Sequence, residues 1–184
     1  MRKICISAFD SFGSNEINST QQILENLPDT IGDFQIIKVL LPTVRYESFD
    51  LLIPYLDEVD AVISLGMANN RTKISLERVA INVDDFRIAD NKGNQPIDEI
   101  IIENGPTAYF SNLPLRKIEQ KLNEKHIPTE ISNSAGTFVC NHLMYQVAHH
   151  VHNSLTFGFI HCPPLHVMSK EMMTSAIEMA VLCL

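Results

Sequence analysis

Short apolar runs and amphipathic helical patterns alternate along the chain. Lys3 to Ala8 is nearly continuous in apolar character, as expected of a strand buried on both faces. Phe34 to Leu41, Ala61 to Leu65 and Phe157 to His161 repeat that signature. Between the first two, Asn18-Ser19-Thr20-Gln21 resembles a capping box, opening a helix that runs to about Leu27 before Pro28. Arg45 to Leu56 places Phe49, Leu52, Ile53 and Leu56 on one helical face, with Pro54 disturbing its last turn. The pattern predicts further helices over Leu115 to Lys125, Cys140 to about Val151 and Ser169 to Leu184. Ile74 to Asn82 and Thr129 to Ser132 have strand character, and Val83 to Pro96 is a polar, structured excursion. This alternation implies βαβ units: an α/β sandwich around a mostly parallel twisted sheet, in a single domain spanning 1–184. Ligands in such sheets bind beyond the carboxyl ends of the strands, so the loops after Ala8, Leu41 and Leu65 are the places to look.

Composition narrows the partners more than the fold. A net charge of −8 argues against nucleic acid and anionic membrane surfaces, which need a basic footprint. No apolar run approaches the length of a membrane span, and the apolar start is too short for a signal peptide. Cys5, Cys140, Cys162 and Cys183 are scattered without paired spacing, which reads as reduced thiols in a cytoplasmic protein.

The candidate chemistry centres on Ser132-Asn133-Ser134-Ala135-Gly136-Thr137-Phe138-Val139-Cys140-Asn141. Small polar residues turn at Gly136 and enter a helix with Cys140 near its start. There the unpaired N–H groups and the helix dipole favour a thiolate and can receive an oxyanion. Cys140 is thus either a nucleophile or a small buried hydrophobe. His161, at the carboxyl end of a buried strand, is either a structural histidine or the base that takes the thiol proton. Cys162 adjoins it and, by strand alternation, points to the opposite face. Glu77 lies in an otherwise apolar run; it either orients an imidazole or forms an ion pair with Arg71 or Arg78. His142, His149, His150 and His152 invite a metal reading, but their spacing suits none, and most of them read as surface or helix C-terminal residues.

Taken together, these stretches resemble the pyrrolidone-carboxyl peptidases (pyroglutamyl peptidase type I), cysteine peptidases that remove an N-terminal pyroglutamate. The resemblance runs through Phe9-Asp10-x-Phe12-Gly13, Pro42-Thr43-Val44, Gly66-x-Ala68-x-x-Arg71 and Glu77-Arg78-Val79-Ala80-Ile81-Asn82. It continues through Asp85-x-Arg87-Ile88-x-Asp90-Asn91-x-Gly93-Asn94-Gln95-Pro96-Ile97, Ala108-Tyr109-Phe110-Ser111, the Cys140 stretch and Gly158-Phe159-Ile160-His161. It implies an α/β/α sandwich and a triad of Glu77, Cys140 and His161, with Arg87 near the oxyanion. Phe9, Phe12 and Phe138 would wall a pyroglutamyl slot lined by Thr43, Met67 and Val139. No metal or other cofactor is implied; the substrate would be a peptide or protein with N-terminal pyroglutamate, and the assembly a homo-oligomer. The chain departs from the family pattern at Ala8, Ser11 and Ser14, at Met67 in place of Gln, and at Asn69-Asn70 in place of a glycine pair, where asparagine tolerates left-handed backbone. The segment after His161 is also shorter than usual. These departures motivate an alternative, a catalytically weak paralogue that binds a small lactam or peptide N-terminus; a metallohydrolase is a third reading, separable with a chelator.

Overall fold

The computed structural model describes residues 1–13, 18–152 and 154–184, so Ser14 lies outside the described residues. The main sheet holds β1 (Arg2–Phe9), β2 (Thr30–Ile31), β3 (Phe34–Leu41), β4 (Ala61–Met67), β5 (Ile74–Glu77), β8 (Thr129–Ser132) and β9 (Thr156–Cys162). A separate antiparallel pair joins β6 (Val79–Ile81) to β7 (Ala108–Phe110). The helices are α1 (Ser19–Asn26), α2 (Glu47–Leu56), α3 (Leu115–Glu124), α4 (Val139–Val151) and α5 (Lys170–Leu182). Strand order in the main sheet is β2-β3-β1-β4-β9-β5-β8. Its centre, β3-β1-β4-β9, is parallel, whereas β5 runs antiparallel to β9 and parallel to β8.

Strand alternation sorts the core into two clusters. Ile4, Ile6, Ile63, Leu65, Ile160 and Cys162 face α1, α3 and α5. Cys5, Phe9, Val62, Phe157 and Phe159 face α2 and α4. This is why the central strands read as continuous apolar runs: both of their faces are covered.

Local chemistry sets the ends of the elements. Asn18 Oδ1 accepts from the Thr20 N–H (3.0 Å) and caps α1, but Gln21 reaches Glu25 (3.0 Å) rather than closing a reciprocal capping box. The run from Ile74 to Asn82, expected as one strand, is broken at Arg78. Its N–H donates to the Ser132 carbonyl and its carbonyl accepts from the Ser111 N–H (both 2.8 Å), so the chain changes partner there and leaves the main sheet. Helix α2 starts two residues later than expected because Tyr46 takes a left-handed backbone (φ 62°). Ser169 caps α5 through the Met172 N–H (3.2 Å).

Gly158 in β9 shows how closely the layers pack: a Cβ there would lie 2.2 Å from Leu113 Cδ1 and 2.7 Å from Ser111 Oγ. Gly158→Ala is therefore expected to destabilise the fold by about 1–3 kcal/mol through overpacking, read as a lower urea midpoint with unchanged m-value.

Candidate active site

Three elements converge beyond the carboxyl ends of β1, β4 and β9. His161 is the penultimate residue of β9 and Glu77 the last of β5. In the antiparallel register Glu77 opposes Phe159, which makes Glu77 and His161 diagonal neighbours on one face. Their side chains meet, with His161 Nδ1 2.7 Å from Glu77 Oε1. The carboxylate accepts from Nδ1–H, and Nε2 is left for the thiol of Cys140, the second residue of α4.

Burial alone would pull the His161 imidazole below its ordinary value. Attraction to Cys140 and hydrogen bonds to Cys140 and Glu77, with the Glu77 charge, more than reverse this and push it up to about 9. Glu77 is fully buried, and a lone carboxylate there would be costly. Arg71 compensates: its Nη2 lies 3.2 Å from Glu77 Oε1 and donates to the Ser134 carbonyl (3.1 Å), while Nη1 reaches Glu130 (3.4 Å). Glu77 thus has both of the partners that the sequence offered as alternatives, the imidazole and an arginine.

Two residues fix the start of α4. The Asn141 side chain accepts from the Ile81 N–H (2.9 Å) and donates to the carbonyls of Ile81 (2.9 Å) and Val83 (3.0 Å), tying the helix to β6. Gly66, paired with His161 in the sheet, lies against the thiol: a Cβ there would stand 2.9 Å from Cys140 Sγ and from the Phe159 ring. Gly136 turns the chain into the helix with φ 80°, a conformation that glycine adopts without strain. The first N–H groups of α4 lack intrahelical acceptors and are available to an oxyanion.

Around Cys140 and His161 opens a cleft of about 440 Å³. Phe9, Phe12, Thr43, Met67, Phe138 and Arg87 line it, together with Asn18, Asn69, Asn70, Asp85, Ile88, Ala135 and Thr137. Phe138 packs on Phe12 (ring centroids 5.2 Å) and on Phe86 (4.6 Å), forming an aromatic wall. Asp10 organises the loops beneath it. Its carboxylate accepts from the Thr43 N–H (2.8 Å) and hydroxyl (3.0 Å), and its carbonyl accepts from Asn18 Nδ2 (2.8 Å). The Arg87 guanidinium is exposed and has no ion pair or hydrogen bond among the described residues.

Several expectations need correction. The Val139 side chain is fully buried in the α2/α4 core and does not line the cleft, because one step before Cys140 on a helix turns it toward the sheet. His142 is neither on the surface nor at a helix C-terminus, but in the first turn of α4. It is fully buried, with Nδ1 2.7 Å from Asp84 and Nε2 accepting from the Tyr46 N–H (3.3 Å). Asp84 in turn pairs with Arg45 (2.7 Å). Asn69 and Asn70 are not among the residues with positive φ, so the turn there requires no left-handed geometry. Cys162, by contrast, does lie on the opposite face from His161 as strand alternation implied, in the α1/α3/α5 core, where burial pushes its thiol up to about 12. Reasoning from sequence missed Asn141 and Gly66 as supports; the clue for Gly66 was a glycine inside an otherwise apolar strand end.

Known proteins resemble this chain in sequence and in fold. A sequence profile of the pyroglutamyl peptidase family matches residues 2–182. A pyrrolidone-carboxylate peptidase from Thermoanaerobacter sp. (strain X514) is 45% identical, over 97% of this chain and 96% of its own length. One from Vibrio parahaemolyticus is 50% identical over 90% of this chain and 80% of its own. Among solved structures, the pyrrolidone carboxyl peptidase from Thermococcus litoralis superposes with a TM-score of 0.93 at 37% identity, covering 100% of this chain and 93% of that one. On family profile, identity and fold together, the chain belongs to the pyroglutamyl peptidase family.

Proposed function

We propose that this chain is a cysteine exopeptidase that hydrolyses the amide bond after an N-terminal pyroglutamyl residue, with Cys140 as nucleophile, His161 as proton shuttle and Glu77 as the residue that orients His161. The observation that carries the assignment of roles is the buried Glu77–His161 hydrogen bond directed at Cys140 in an open, aromatic-walled cleft. His161 takes the thiol proton, and Cys140 Sγ attacks the pyroglutamyl carbonyl carbon. The N–H groups at the start of α4, with the free guanidinium of Arg87, hold the oxyanion. As the C–N bond breaks, the imidazolium gives its proton to the leaving amine, and a thioester remains. His161 then deprotonates water, which attacks the thioester and releases pyroglutamate with the thiol restored.

Phe9, Phe12 and Phe138 sandwich the neutral lactam, with Thr43 and Met67 beside it. An ordinary N-terminus would bring an ammonium into this apolar slot at a desolvation cost of several kcal/mol, so exclusion contributes to specificity. The reading extends to one domain over 1–184, since strands from both ends of the chain share the main sheet. It also places the protein in the cytoplasm, in keeping with four free cysteines. Exposed Leu51 and Tyr55, four residues apart on α2, offer an apolar stripe for a homo-oligomer.

Release of a fluorophore from a pyroglutamyl amide tests the assignment. Cys140→Ala is expected to lower kcat/KM by about a thousandfold or more while Cys162→Ala retains turnover; the reverse pattern would refute the choice of nucleophile. The reactive pair needs a protonated His161, which is lost as pH rises through about 9, so kcat/KM should fall on an alkaline limb near that pH. Glu77→Gln removes the carboxylate charge that raises this value, and the limb should move to lower pH. Gly66→Ala should push the thiol out of line and reduce kcat by about a hundredfold with the fold retained, as judged by circular dichroism.

A further inference from the structure

The cleft is larger than a five-membered lactam needs, and its 440 Å³ lies in the range that accommodates a drug-sized ligand. Its lining is also uneven: the aromatic wall gathers around Phe138, before α4, whereas Asn69 and Asn70 come from the turn after β4. That turn stands on the His161 side of the site. Gly66 and Met67 pair with His161 and Cys162 in the sheet, and the Ala68 N–H donates to the Cys162 carbonyl (3.0 Å). The turn is closed by the Arg71 N–H on the Ala68 carbonyl (3.1 Å), and the Arg71 side chain is anchored on Glu77, Glu130 and Ser134. Two exposed carboxamides are thus held on a braced turn at the cleft, and neither has a hydrogen-bond partner among the described residues.

Resting on the peptidase reading above, we propose that Asn69 and Asn70 form a subsite for the departing peptide, binding the backbone of the residues that follow pyroglutamate. Because His161 protonates the leaving amine, the peptide departs on the His161 side, which is where this turn lies. A carboxamide carries both a donor and an acceptor, the complement of a peptide group's C=O and N–H. It recognises main chain irrespective of side-chain identity. A turn already fixed by Arg71 loses little freedom on binding. An aryl amide of pyroglutamate offers no peptide groups beyond the scissile bond, so this enzyme favours peptide substrates over such amides.

The test compares kcat/KM for a pyroglutamyl tripeptide amide with that for a pyroglutamyl aryl amide, in the native chain and in Asn69→Ala/Asn70→Ala. Alanine suits both positions because neither has positive φ. The tripeptide-to-aryl-amide ratio is expected to fall about tenfold, the effect of losing one or two hydrogen bonds. An unchanged ratio would overturn the subsite while leaving the peptidase reading intact, as would an equal loss on both substrates, which marks a structural role. A native chain that turns over neither substrate would overturn both readings.

Discussion

The hydrogen bond from His161 to Glu77 depends on β5 running against β9. Only because β5 is antiparallel to β9 does its last residue fall diagonally beside His161, on the face that α4 covers. A carboxylate at a fully buried position is tolerable when its charge is matched, and here an imidazolium and the Arg71 guanidinium share one oxygen. The same pairing raises the affinity of His161 for a proton against the opposing effect of burial. Stability of the pair and readiness for catalysis therefore have one electrostatic origin, and Arg71 links both to the turn that carries Asn69 and Asn70.

Cys140, the proposed nucleophile, is placed by different means. Gly66, against the Cys140 thiol, supplies absence of a side chain, which lets the helix start approach the sheet edge. Asn141, next in sequence, holds the helix through three hydrogen bonds to β6 and the segment after it. The adjacent His142 is fully buried and bonded to Asp84, which in turn pairs with Arg45. Successive residues of one helical turn therefore anchor α4 to separate parts of the molecule while Cys140 faces the cleft. Rigid support of this kind is what a reaction sensitive to ångström-scale misplacement requires.

The central strands and all five helices were legible in the sequence because each is either buried on both faces or periodic on one. The three loops expected to hold a ligand all contribute to the cleft, since open α/β sheets leave that edge uncovered. What escaped was set by tertiary pairing. Arg78 looks like any strand residue until its N–H and carbonyl are seen to bond different partners. The two-residue β2 and the three-residue β7 carry too little pattern to register. His142 was misjudged because a buried histidine is betrayed only by its acid, and Asp84 lies 58 positions away. The resemblance to a family named Val139 as a lining residue, but its position one step before Cys140 commits its side chain to the core.

The cleft joins two solvation problems that call for opposite walls. In the proposed complex the substrate presents a ring with no charge near Phe12 and Phe138, where aromatic faces would stabilise it by contact while making an ammonium unwelcome. Toward Asn69 and Asn70, in the proposed subsite, the substrate presents peptide groups that must keep hydrogen-bond partners as water is displaced. An apolar wall there would penalise every peptide alike, and charged residues alone would select by side chain. Neutral carboxamides satisfy the main chain without either penalty. In the proposed complex the scissile bond lies where these two surfaces meet, beside the thiol, the imidazole and the helix N–H groups.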